Sequence, residues 1–193
     1  MNKIRTGRSA FTLVEILVVV AIIGLLTGLA VPAAGGALAA ARKAKTMAMA
    51  SQIRNAMIQF NTEYGFFPTN GVDANTGVGS TSANIALILT GSLSATNDNP
   101  RQIVFLEVPA EFTQNGAGNV TNGGIQNPKN LYTRGSMKGR QQPFSFAVDH
   151  NYDGMVRVTN GTSLTAPPGI SGSCHVWIKD PSDPDKKTAG TWK

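Results

Sequence analysis

The chain has 193 residues, enough for one modest core, and carries a formal charge of +6 on only 15% charged residues. Lys3, Arg5 and Arg8 precede a long apolar run and Arg42, Lys43 and Lys45 follow it, while from Tyr64 onward ten Lys/Arg stand against nine Asp/Glu. The body is therefore close to neutral and offers no broad positive field to a nucleic acid, which argues against a phosphate-binding activity. Cys174 is the one cysteine, so no intramolecular disulfide can be built from this sequence, and its thiol reads as a small apolar core group.

The apolar run extends from Phe11 to Val31, broken by Thr12, Glu15, Thr27 and small glycines. About 20 such residues, at 1.5 Å rise each, span the hydrocarbon core of a bilayer as a helix. The basic residues before it belong in the cytoplasm by the positive-inside rule. The expectation is a single-pass protein of the bacterial inner membrane with its C-terminal domain in the periplasm. Glu15 is the anomaly, because a carboxylate inside such a helix costs about 2.5–3.5 kcal/mol on insertion scales. An ordinary signal peptide would have an apolar stretch of only about 7–15 residues ending in a small-residue cleavage site. Ala37-Leu38-Ala39 supplies such a site, but the run is too long and the acid is out of place. A plain signal anchor explains the length and leaves Glu15 unexplained.

The string Ser9-Ala10-Phe11-Thr12-Leu13-Val14-Glu15 resembles the type IV prepilin signature. That resemblance implies cleavage by a dedicated prepilin peptidase between Ala10 and Phe11, with methylation of the new amine. Glu15 then becomes the fifth residue of the mature chain and pairs with the amine of a neighbouring subunit. The family usually places Gly before the cut, and Ala10 departs from that pattern. Pro32 stands about where pilins carry a helix-kinking proline, which removes one backbone hydrogen bond.

Past Pro32 the helix is expected to continue. Ala37 to Ala41 are helix formers, and Met47, Ala50, Ile53, Met57, Phe60 and Tyr64 recur at spacings of three and four, the stripe of a helix laid on a core. From Phe11 to Glu63 the helix would measure about 80 Å. Gly65 ends it, and Tyr64 followed by Gly65, Phe66-Phe67 and Pro68-Thr69 resembles the same point in major pseudopilins of type II secretion. Beyond a Gly/Thr/Asn-rich loop, Ser82 is placed to cap a short helix through Leu89 that Gly91 stops. Gln102 to Val108 reads as a strand, Gln114 to Asn130 as a Gly/Asn loop, and Phe144–Val148, Met155–Thr159 and Cys174–Lys179 as strands of a small antiparallel sheet. No internal repeat is present.

Phe144–Val148 and Met155–Thr159 read as a hairpin joined by Asp149-His150-Asn151-Tyr152-Asp153-Gly154. Asp149, Asn151 and Asp153 place oxygens at alternate positions before a glycine, as at the start of a calcium loop. Asn160 stands where an EF-hand needs an acid, and a turn built from turn-favouring residues explains the segment without metal. The C-terminal segment, with Trp177-Ile178-Lys179-Asp180, then Asp183, Asp185 and Thr191-Trp192, resembles the calcium-holding end of the same pseudopilins. The resemblance implies calcium on Asp180, Asp183 and Asp185, although Lys186, Lys187 and Thr188 occupy a stretch where the family tends to place another acid. Cys174 and His175 alternate along a strand and so face opposite sides of the sheet, which spoils a Cys–His dyad. No zinc spacing or phosphate-binding glycine loop appears, and nothing marks an enzyme.

The sequence therefore reads as an α+β, pilin-like chain, with a long N-terminal helix packed on a small antiparallel β-sheet domain. Its expected parts are a cleaved leader (1–10), a transmembrane and assembly helix (11–41), the amphipathic half of that helix (42–64) and a loop-rich globular domain (65–193). The resemblance implies a structural fibre subunit that polymerises with itself and with minor pseudopilins. It also implies an inner-membrane platform protein and an assembly ATPase as partners, with calcium as the only cofactor in view. The lack of a cysteine pair points to a G-type pseudopilin rather than a disulfide-bearing pilin. A DNA-uptake or adhesive pilin would need a basic or aromatic stripe on the body. A non-polymerising periplasmic domain on a signal anchor would gain nothing from Glu15.

Overall fold

A computed structural model of the chain describes residues 11–68, 78–92, 98–121, 123–128, 141–156, 170–178 and 189–191, with the side chains of 30–34, 39, 78, 170 and 189 set aside. The fold is α+β: one long N-terminal helix followed by a short helix and small antiparallel sheets. Contacts divide the chain into two compact units, Met1–Ala41 and Arg42–Lys193.

Helix α1 runs Leu13–Tyr64 over 52 residues. In the first unit it is apolar on all sides and solvent-facing: Leu13, Leu17, Leu25 and Leu29 are 77%, 60%, 66% and 69% exposed. A helix that is apolar all round is made to be covered, by lipid or by other helices. Among the described residues, no helix is long and apolar enough to cross a membrane. The apolar run extends in the sequence from Phe11 through Val31, and its side chains are described over residues 11–29. The helical backbone is unbroken across Pro32.

In the second unit, α1 becomes one-sided. Met49, Ala50, Ile53, Ala56, Met57 and Phe60 are buried and join one core with Ile85, Ile88, Phe144, Phe146 and Val176. The expected stripe shifts at its start. Thr46 turns inward, fully buried, and its hydroxyl donates to Asn127 Oδ1 at 3.0 Å, while Met47 is only half-buried. A buried polar pair that satisfies itself occupies the place the periodicity gave to a methionine. Gly65 stops α1 with φ +77°, a left-handed conformation that glycine adopts without a Cβ penalty. Around this end Phe60 stacks against Tyr64, Phe66 and Phe105 at ring-centre distances of 4.7, 5.7 and 5.4 Å. The Tyr64 hydroxyl donates to Asn99 Oδ1 at 2.6 Å.

Helix α2, Ala83–Leu89, starts after Ser82, whose side chain makes no cap bond, and is buried over Ile85–Leu89. Gly91 ends it at φ +66°, and a Cβ there would lie 2.6 Å from the Gln102 carbonyl. That close approach brings the next segment alongside, and both Phe105 and Leu106 donate their amides to Leu89 O, at 2.9 and 3.0 Å. The expected strand Gln102–Val108 is therefore corrected. It is irregular chain, with Gln102 at φ +54°, tied to the end of α2 and with no strand partner among the described residues.

The main sheet has four strands in the order β1-β4-β7-β8: Val78–Ser80, Ser145–Val148, Cys174–Ile178 and Ala189–Gly190. Two further antiparallel pairs are β2 (Gln126–Asn127) with β3 (Gln142–Pro143), and β5 (Met155–Val156) with β6 (Ile170–Ser171). The expected Gly/Asn loop 114–130 thus contains the strand β2 and a 3₁₀ turn, Gln114–Gly116. The expected hairpin between Phe144–Val148 and Met155–Thr159 is also corrected. β4 pairs with β7 (Phe146↔Val176, Val148↔Cys174), and β5 pairs with β6 (Met155↔Ser171). The two pairs follow one another along the same two chain segments, bridged by Asp149 N–H to Ser173 O at 2.9 Å and Gly172 N–H to Gly154 O at 3.0 Å. Asp149–Gly154 is an excursion within one strand, opposite only Gly172 and Ser173. Residues 157–159 and Lys179, expected as strand ends, lie outside the described residues.

Candidate functional site

The first described residues form a compact polar site at the start of the apolar helix. Phe11 and Thr12 precede the helix, and Phe11 is 76% exposed. The Thr12 amide and the Thr12 hydroxyl both donate to Glu15 Oε2 at 2.8 Å. In return, the Glu15 amide donates to Thr12 Oγ1 at 3.3 Å. This reciprocal arrangement is a capping box. The first turn of a helix has amides with no partner in the helix, and a Thr followed three residues later by Glu satisfies two of them. A carboxylate here also meets the positive end of the helix dipole. Among the described residues, Glu15 Oε1 has no hydrogen-bond partner, so half of the carboxylate remains open to an outside donor.

The charge of Glu15 is an exception visible in the sequence, whereas its bond to Thr12 is a finding of the structure. The signal was present in the spacing, since Thr-x-x-Glu ahead of an apolar run is a helix-start pattern. Ala10 lies outside the described residues. Pro32 lies in helical backbone well along α1 from Glu15, and the two residues do not form one site.

The Asp149–Gly154 excursion brings its predicted residues together around their own backbone. The Asp149 carboxylate accepts from the amides of Asp153 (3.2 Å, Oδ1) and Gly154 (2.8 Å, Oδ2). Asp153 Oδ1 accepts from the Met155 amide at 2.9 Å, and Asn151 Nδ2 donates to Asp153 Oδ2 at 3.0 Å. Tyr152, at φ +58°, reaches out to donate its hydroxyl to Gly65 O at 3.3 Å. These bonds close the loop with turn chemistry, and a cation here would compete with amide donors for the same oxygens. Among the described residues, no group of three or more His, Cys, Asp or Glu side chains is placed to hold a metal ion. Asp180, Asp183 and Asp185 lie outside them.

Asp149 is buried, and Asp149→Ala would strand two amides at a cost of about 1–3 kcal/mol. The melting temperature is expected to fall by a similar amount in EDTA and in millimolar calcium. A deficit present only in calcium would instead make this loop a metal site.

The strand residues Cys174 and His175 do fall on opposite faces of the sheet. Cys174 lies in the main core with Val176 and Ile178, while His175 is buried outside that cluster. Burial pushes the Cys174 thiol up to about 12, so it is not a nucleophile at neutral pH. Burial also holds the His175 imidazole below its ordinary value, against the opposing effect of its contact with Ser171 O. Arg54, on α1, donates to the Cys174 carbonyl at 2.9 Å and ties the helix to β7. Thr191 holds the last described turn to the same strand: its amide donates to Val176 O at 3.0 Å and its hydroxyl accepts from the Val176 amide at 3.1 Å.

No curated protein and no solved structure matches the chain. A family model, the prokaryotic N-terminal methylation motif, matches residues 5–31, the stretch that holds the Thr12–Glu15 box and the apolar run. Over those residues, the chain carries a prepilin-type signal.

Proposed function

We propose that the chain is a structural subunit of a type II secretion pseudopilus or a type IV pilus-like fibre. In this reading, residues 11–31 cross the inner membrane once and the C-terminal domain lies in the periplasm. A prepilin peptidase cuts between Ala10 and Phe11 and the new amine is methylated. The helix then leaves the bilayer for a bundle of identical helices, with Pro32 as the kink point. The carrying observation is the Glu15 carboxylate, which lies inside the matched motif at the start of an exposed apolar helix and, among the described residues, is held by one oxygen only. A buried anion needs a partner, and a neighbour's amine would supply it at the open oxygen.

Among fibre subunits, a G-type major pseudopilin fits best. The chain has one cysteine, so it lacks the disulfide of many pilins. Its end, Trp177 to Trp192, follows the pseudopilin pattern with Asp180, Asp183 and Asp185 as calcium ligands. If so, millimolar calcium raises the melting temperature by mass action and Asp183→Ala removes the rise. Equal melting in calcium and EDTA would remove calcium from the reading.

Processing is the direct test of the whole. Co-expression with a prepilin peptidase is expected to yield a product beginning at Phe11, heavier by one methyl group. Mass spectrometry that found a start at Ala40, after Ala37-Leu38-Ala39, would replace the fibre subunit with an ordinary secreted domain.

A further inference from the structure

The unit Arg42–Lys193 has a groove of about 520 Å³ between α2, the segment 103–108 and the turn at 118–121. Val104, Val108 and Val120 give it apolar walls, and Asn119, Thr121 and Glu107 give it polar ones. Val104 is 58% exposed, and Glu107 is exposed with no ion-pair partner among the described residues. No Lys, Arg or His lines the groove. Apolar walls, acceptor oxygens and one carboxylate suit the stem and head of a long basic side chain.

Among the described residues of this unit, four of the five Lys/Arg are engaged. Lys45 pairs with Glu111, Arg101 with Glu63, Arg54 bonds the Cys174 carbonyl, and Lys43 also has a partner. Arg42 is the exception: it is exposed, and its guanidinium contacts no acceptor among the described residues. Among the described residues, the chain thus presents an unmatched acid in a groove and an unmatched base on α1.

We propose that the groove at Glu107 receives Arg42 of a second copy of this chain. In a fibre the contact runs one way, from Arg42 of one copy to the groove of the next. Each added copy leaves one groove and one arginine open, which propagates a filament instead of closing a dimer. The ion pair is set beside Val104 and Val108, where partial loss of water makes a charge-assisted bond stronger than a fully exposed one. The inference rests on the fibre reading and adds a contact between globular domains to the one at the N-terminal helix.

The test uses the full chain, processed and assembled in cells, with sheared fibres measured against total protein. Glu107→Arg and Arg42→Glu are each expected to cut fibre yield several-fold, and the two together to restore most of it. Both positions are exposed, so melting temperatures should stay near wild type and separate assembly from folding. A second arm carries Arg42→Cys with Glu107→Cys and treats intact fibres with a short bismaleimide, which should give a ladder of linked subunits. Fibres that form without a ladder, charge variants that assemble at wild-type yield, or a swapped pair no better than the single variants would each overturn this contact. These outcomes leave the fibre reading in place. A wild-type chain that never forms fibres would remove that reading, and this contact with it.

Discussion

Glu15→Val is expected to reduce fibre yield to background while the chain is still cleaved before Phe11 and retained in the membrane. Two effects are lost together, and their sizes separate them. The cap contribution, from the solvent-exposed bonds between Glu15 and Thr12, is the smaller and would fray only the first turn. A neighbour's amine stranded in an apolar bundle costs about 3–5 kcal/mol, repeated at every subunit. Insertion itself should improve, because valine is cheaper than glutamate in the bilayer. The decisive companion is Glu15→Gln, since glutamine can hold the same capping box without the charge. If charge pairing drives assembly, both variants fail. A Glu15→Gln chain that assembles normally as the sole major subunit would refute the pairing and leave the cap as the reason for the residue. Wild-type subunits must be absent, because a mixed bundle would mask the defect.

Phe60→Ala is expected to destabilise the globular unit by about 3–5 kcal/mol, the range for removing a buried aromatic ring. Phe60 is fully buried and its ring contacts Tyr64, Phe66 and Phe105, so the vacated space opens against rigid neighbours. For a unit of this size, that loss lowers the melting temperature by on the order of 10 °C. It would also loosen the anchor of the 103–108 segment, since Phe105 packs on the same ring. Thermal melts of the full chain in detergent check the first effect, and amide exchange at Phe105 and Leu106 checks the second. A melting shift of only about 2 °C would show that the aromatic cluster does not hold the end of α1 to the domain.

The features readable in the sequence were those set by local spacing. The helix end at Gly65, the short helix between Ser82 and Gly91 and the strands at Phe144–Val148 and from Cys174 onward all follow from patterns within a few residues. Strand partnership does not. Phe144–Val148 and Met155 onward look like a hairpin because a six-residue turn-rich segment joins them, yet β4 pairs with Val78–Ser80 and Cys174–Ile178, and β5 with Ile170–Ser171. The 102–108 segment has a strand's composition, but the Leu89 carbonyl and Asn99 bind its backbone, and no propensity encodes that competition. Thr46 takes the inward position in place of Met47 for a similar reason, since it has a buried partner 81 residues away. In the candidate site, the charge of Glu15 was visible as an exception to its surroundings, whereas its bond to Thr12 required attention to polar spacing within an apolar run.

The excursion at Asp149–Gly154 also bears on the order in which the domain is built. β4 and β7 are distant in sequence, and closing that loop alone is entropically slow. β5 and β6 lie between them and enclose a shorter loop, so Met155↔Ser171 and Val156↔Ile170 can meet first. Once they do, the Gly172 to Gly154 and Asp149 to Ser173 bonds deliver Val148 to Cys174 with little further entropy to lose. The excursion is then a hinge in a zipper, and the turn bonds that pre-shape it govern how fast the central sheet closes. Asp149→Ala would accordingly slow refolding as well as lower stability, whereas a loop that forms late would leave the refolding rate unchanged and speed unfolding alone.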